Sequence, residues 1–148
     1  MSLGAQKRPQ GTFDAIMEFK DAGLVAASAA ATVAGAAQIV ECGTGLFKAD
    51  MVIEASAIEV DTGDERYTII IQGSNSATFA NTIVPLGGME LGVDVANLKS
   101  ADDTPGRYVV PFQNERNGTF YRYLRVYTVV AGTIADGVDF SAYAIPRG

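Results

Sequence analysis

From Thr119 to Val130 the chain reads Thr-Phe-Tyr-Arg-Tyr-Leu-Arg-Val-Tyr-Thr-Val-Val, a near-strict alternation of two residue sets. Tyr121, Tyr123, Arg125 and Tyr127 fall on one side, and Phe120, Leu124 and Val126 on the other. A period of two puts the sets on opposite faces of a β-strand, whereas a helix would scatter both around its axis. The aliphatic set reads as core and the Tyr/Arg set as a decorated outer face. A Gly-containing turn and a second strand, Val138–Ile145, follow.

The same period recurs upstream. Phe13, Ala15, Met17 and Phe19 oppose Asp14, Glu18 and Lys20, with Ile16 as the exception. Between Leu46 and Val60, Phe47, Ala49, Met51 and Ile53 line one face, and Lys48, Asp50 and Glu54 the other. Ile58 and Val60 then fall on the opposite parity, which predicts a bulge or corner near Ala55–Ala57. The run Asp61-Thr-Gly-Asp-Glu65 leads into Tyr67–Gln72 and reads as a hairpin turn. A further strand is expected around Thr78–Val84, ended by Pro85, and then a short strand and long loop over 86–106. Arg107–Phe112 carries Pro111, which cannot donate to a ladder, so it belongs at a sheet edge or bulge. The alanine-rich stretch 22–38 has no apolar stripe at helical spacing and reads as loop plus strand, with a short helix as the alternative.

Eight or nine antiparallel strands with little or no helix predict an all-β, jelly-roll-like sandwich or barrel. At 148 residues the chain has room for one such domain. The reading is a flexible N-terminal arm over 1–11 and a single jelly-roll domain over 12–148. Gly23–Val40 lacks charge, but eight of its eighteen residues are alanine, too weakly apolar for a membrane span. Asp14, Glu18 and Asp21 separate the basic start from that run, unlike a secretion signal.

The formal charge of −6 argues against a nucleic-acid partner, although Arg107, Arg116, Arg122 and Arg125 cluster in one region of sequence. There is no histidine, which removes the usual neutral-pH base and the commonest metal ligand. The single cysteine, Cys42, forbids an internal disulfide and has no basic neighbour to stabilise a thiolate. No phosphate-binding or dinucleotide loop occurs. Asp61, Asp64 and Glu65, or Asp102 and Asp103, are oxygen donors for calcium in principle, but their spacing suits local turn hydrogen bonds better. A glycosidase built from two carboxylates needs no histidine and stays open on residue types alone. No catalytic, cofactor-binding or metal residues are assigned.

The Tyr/Arg face remains. Tyrosine and arginine supply large, rigid contact area at interfaces, so Tyr121, Tyr123, Arg125 and Tyr127, with Arg107 and Arg116, are the candidate interface residues. They are also ordinary outward neighbours on a sheet. Aromatic faces stack on sugars as well, which leaves a carbohydrate- or receptor-binding sandwich as the alternative.

Several segments resemble the capsid cement (decoration) proteins of tailed phages, of the Bordetella podophage type. They are Asp14-Ala15 and Asp21-Ala22, Ile39-Val-Glu-Cys-Gly43, Tyr67-Thr-Ile-Ile-Ile-Gln-Gly-Ser74, Tyr123–Ile134 and Phe140-Ser-Ala-Tyr143. Together they span most of 13–145. Glu41-Cys42 departs from the Asp and aliphatic residue the family pattern leads one to expect. The resemblance implies a non-enzymatic jelly roll without cofactor that self-associates as a dimer or trimer. It also implies a place on the capsid exterior of the virion, clamping major capsid protein subunits, after synthesis in the bacterial host cytoplasm. Neither nucleic acid nor membrane enters as a partner.

Overall fold

The computed structural model describes residues 17–92 and 103–147, and among them it contains strands and no helix. The strands are β1 (Glu18–Lys20), β2 (Leu24–Val25), β3 (Ala29–Ala30), β4 (Thr32–Val33), β5 (Ala36–Ala37), β6 (Val40–Glu41) and β7 (Lys48–Ile58). They continue as β8 (Arg66–Ser74), β9 (Val84–Gly92), β10 (Gly106–Gln113), β11 (Glu115–Arg116), β12 (Thr119–Phe120), β13 (Tyr123–Ala131) and β14 (Val138–Pro146). The expected arm over 1–11 and the start of the first expected strand lie outside the described residues.

Two antiparallel sheets face each other. The first runs β1-β14-β7-β10 with β2 also on β14; the second runs β3-β13-β8-β9 with β6 also on β13. Counting β1 and β2 as one position, and β3 and β6 as another, eight main strands take the orders 1-8-3-6 and 2-7-4-5. That is the double Greek key of a jelly roll, in line with the expected fold class, and an open sandwich rather than a closed barrel. Phe19, Met51, Ile53, Tyr67, Ile69, Ile71, Leu91, Leu124, Val126 and Phe140 are fully buried between the sheets.

The expected bulge is present: Phe140 pairs with Ala55 and Asp139 with Ala57, leaving Ser56 over. Pro111 sits in β10, an edge strand, where its missing N–H costs no ladder bond. The alanine-rich stretch forms short strands, including the hairpin β4–β5. Its two central residues, Ala34 and Gly35, have φ of 53° and 80°, the left-handed pair that a two-residue hairpin loop demands.

Three expectations are corrected. Residues 61–65 do not close a hairpin but arch from the first sheet to the second. Both edges of β7 are already taken by β10 and β14, so β8 pairs with β13 and β9 instead. No strand covers 78–82. There Ser76 Oγ accepts the Thr78 and Ala80 amides, Phe79 and Thr82 adopt positive φ, and pairing starts only at Val84 and continues through Pro85. Lys20 faces inward, because β1 shifts register between Glu18 and Lys20 and so buries both Phe19 and Lys20.

Asn114 locks the crossing between β10 and β13. It is fully buried; its Oδ1 accepts the Phe47 amide at 2.7 Å, and its Nδ2 donates to Gly45 O at 2.9 Å and Tyr121 O at 3.0 Å. Its own amide donates to Phe47 O and its carbonyl accepts from Tyr121 N. Replacing Asn114 with Ala strands several of these groups, and the expected loss is about 2–4 kcal/mol in urea unfolding. A loss under about 1 kcal/mol would show that the crossing does not depend on this side chain.

Candidate functional site

The decorated face belongs to the second sheet. β13 lies between β8 and the β3/β6 edge, with Leu124, Val126 and Thr128 buried and Tyr123, Arg125 and Tyr127 half-exposed on the outside. Across the ladder Arg125 opposes Gln72, and Tyr127 opposes both Ile70 and Ala30. Arg125 Nε donates to Gln72 Oε1 at 2.9 Å. The guanidinium lies 4.5 Å from the Phe79 ring centroid and 5.4 Å from that of Tyr127. Partial burial pushes its pKa down and the neighbouring Tyr127 works the other way, so the group stays a cation held on an aromatic bed.

Phe79 was not legible as part of this face, because the sequence placed it inside a strand. The turn at Ser76 folds residues 75–83 back, and Phe79 is 5% exposed with a left-handed φ of 55°. The closely spaced hydroxyls Ser74, Ser76 and Thr78 were the available signal for a capped turn. One register position along, Arg122 pairs with the Glu41 carboxylate and stands 5.5 Å from the Tyr123 ring centroid. Both partners of that ion pair are about half exposed, so it orients Arg122 more than it stabilises the fold.

The other candidates lie elsewhere. Tyr121 is 7% exposed, whereas Phe120, expected in the core, is 43% exposed. The long strand is broken: β12 forms a hairpin with β11 through Asn117 and Gly118, both with positive φ, and Tyr121–Arg122 bridge irregularly to β13. Tyr121 then packs against Gly73, where a Cβ would come within 2.9 Å of Tyr121 Cβ. Arg107 lies on the outer face of the first sheet, 3.0 Å from Glu54 Oε2, which also accepts from Tyr143 Oη. Arg116 reaches from β11 to Pro85 O at 2.8 Å. The arginines that cluster in sequence are therefore distributed over two sheets and a hairpin, and only Tyr123, Arg125 and Tyr127 of the six form one surface.

Carboxylates at the arch between β7 and β8 are used as backbone acceptors. Glu59 takes the amides of Ala135, Asp136 and Gly137. Asp64 takes the Thr133 amide and hydroxyl and the Thr62 hydroxyl. Glu65, fully buried, takes the Thr62 and Gly63 amides. Among the described residues no group of three or more metal-ligating side chains converges; Asp102 lies outside them. Cys42 is half-buried, and burial pushes its thiol pKa up, with the Asn114 contact opposing; this is the direction of an inert thiol.

The arch predicts an acid-sensitive fold. The amide of Gly137 leads in holding Glu59 below the carboxylate range, and the Thr62 hydroxyl leads for Asp64. Burial opposes the charged form of Glu65, but its amide donors outweigh it and its pKa is also depressed. Groups depressed on folding stabilise above their unfolded values, about pH 4, and lose that contribution as pH falls through the folded ones. Melting temperature should hold from pH 7 to about pH 5 and fall steeply below about pH 4. Asp64→Asn should flatten that acid limb, and an unchanged limb would separate these carboxylates from acid unfolding. Comparison with protein-family models and with curated proteins finds no match to this chain.

Proposed function

We propose that this chain is a structural virion protein that binds the outside of an assembled phage capsid and stabilises contacts between major capsid subunits. The observation that carries the proposal is Arg125. It is a cation without a carboxylate partner among the described residues, fixed by Gln72, Phe79 and Tyr127 on the outer face of the sheet. A guanidinium already immobilised loses little further entropy on binding, and flanking tyrosines add rigid apolar area. Such a patch suits a partner surface that presents a carboxylate or backbone carbonyls between apolar side chains. On a shell the contact is repeated by symmetry, and self-association of the jelly roll multiplies it, so modest single contacts add up. The role requires no reaction and no cofactor. The resemblance of Tyr123–Ile134 and its companion segments to capsid cement proteins points the same way.

The half-exposed Tyr123 and Tyr127 equally furnish a stacking surface for a sugar, which keeps a carbohydrate- or receptor-binding module as the second reading. Purified protein mixed with expanded shells lacking it should co-sediment with them. Arg125→Ala and Tyr127→Ala should weaken that binding about tenfold or more, with melting temperatures near wild type. Arg107→Ala, on the opposite sheet, should leave binding unchanged. Absence of wild-type binding to shells, together with a Tyr127-dependent signal on a glycan array, would overturn the cement reading in favour of the second.

A further inference from the structure

Five polar or charged side chains are buried among the described residues, and four have partners. Lys20 gives its ammonium protons to Asp21 O, Gly23 O and Phe140 O, at 2.9, 2.9 and 2.7 Å. Glu65 and Asn114 are bonded as described above. The Ser74 hydroxyl donates to Asn81 O and accepts from the Ser76 amide. Thr128 is the exception: it is 1% exposed, and its hydroxyl has no hydrogen-bond partner among the described residues. A buried hydroxyl without a partner calls for an explanation, because native interiors pair nearly all such groups.

Thr128 borders a cleft. A cavity of about 440 Å³ opens between the segment 20–27, on the first sheet's side, and β3 with its flanks on the second. Lys20, Gly23, Val25, Ala29 and Ala31 line it, with Thr128. Thr128 shares the inward parity of Leu124 and Val126 and opposes the fully buried Ile69, so its side chain points between the sheets, toward this cleft. Its other cross-strand neighbour, Ala29, is exposed, which leaves the cleft open to solvent at the sheet edge.

The lining defines the ligand. Six alanines with Leu24 and Val25 make its apolar wall, which suits a compact hydrocarbon body, and the rest of the lining is polar. The charges present are already engaged: Lys20 as above, and Asp21 by the Ala34 amide at 2.8 Å. A charged ligand would find no free counter-charge there. No aromatic side chain lines the cleft, so a sugar would find no stacking platform. The volume lies within the range of small-molecule sites, about 300–1,000 Å³.

We propose that this cleft binds a neutral alcohol or phenol, with its hydrocarbon body against the alanine wall and its hydroxyl bonded to Thr128 Oγ1. The test uses p-cresol and toluene as probes, titrated into the full chain and followed by amide NMR shifts. Saturable p-cresol shifts confined to residues 20–32 and 126–130 are expected, with toluene about three- to tenfold weaker, the discrimination expected of one neutral hydrogen bond. Thr128→Val keeps the shape and removes the hydroxyl; it should fold, melt no lower than wild type, and bind both probes equally. Ala29→Leu, which fills the mouth, should abolish binding of both. The proposal is overturned if p-cresol gives no saturable local shifts, or if its preference over toluene survives in folded Thr128→Val.

Discussion

The molecule is organised around one topological demand: of the connections between the eight main strands, only β8–β9 stays within a sheet. The other connections among the described residues carry the chain from one sheet to the other, where backbone donors and acceptors leave their ladders. A buried backbone group without a partner costs as much as a lost hydrogen bond, so each crossing needs its own polar fastening. Lys20 plays the same part at the break within the first edge strand, between β1 and β2, where it binds the Asp21 and Gly23 carbonyls of the break and Phe140 O on β14. Asn114 supplies the fastening between β10 and β13. Glu59, Asp64 and Glu65 supply it at the arch from β7 to β8, where they also bind the 132–137 connection leading into β14. Burying the charges of Lys20 and Glu65 is tolerable only because each is multiply bonded.

This demand explains where the sequence was readable. Within strands the side-chain period is set by the backbone itself, so Met51, Ile53, Ile69, Ile71, Leu124 and Val126 announce their burial by spacing alone. The bulge at Ser56 shows as a parity change, and Pro111 marks an edge. At the crossings the information is not local. Whether Asp61–Glu65 closes a hairpin or an arch depends on β10 and β14 occupying both edges of β7, and neither is near in sequence. Lys20 reads as a solvent residue because its three carbonyl partners exist only in the folded chain.

The candidate face was half legible for the same reason. Tyr123, Arg125 and Tyr127 sit in an uninterrupted strand, and their parity holds. Tyr121 lies two residues before Tyr123, but the irregular bridge at Tyr121–Arg122 intervenes, and Asn114 O and Gly73 draw it inward. Phe79 joins the face from a loop whose course is decided by hydroxyl caps rather than by apolar spacing. Sequence proximity brought Arg107 and Arg116 into the candidate set, but strand order puts Arg107 on β10 of the other sheet and Arg116 on the β11–β12 hairpin.

The outer face and the inner cleft share a partition only two residues wide. β3 meets β13 at Tyr127–Ala30 and Thr128–Ala29, with the Ala31 amide on Val126 O at 2.9 Å as one further tie. Tyr127 belongs to the cation–aromatic stack on the outside, and Thr128, the next residue, borders the cleft on the inside. A displacement of β3 by an occupant of the cleft would reach Tyr127 through Ala30 before it reached any core residue on β8. The opposite edge of β13 is held along nine register pairs with β8, so the strand itself has little freedom to follow. Adaptability at this edge therefore resides in β3 and the alanine-rich chain around it. Small side chains there leave both the cleft open and the outer Tyr127 only half covered.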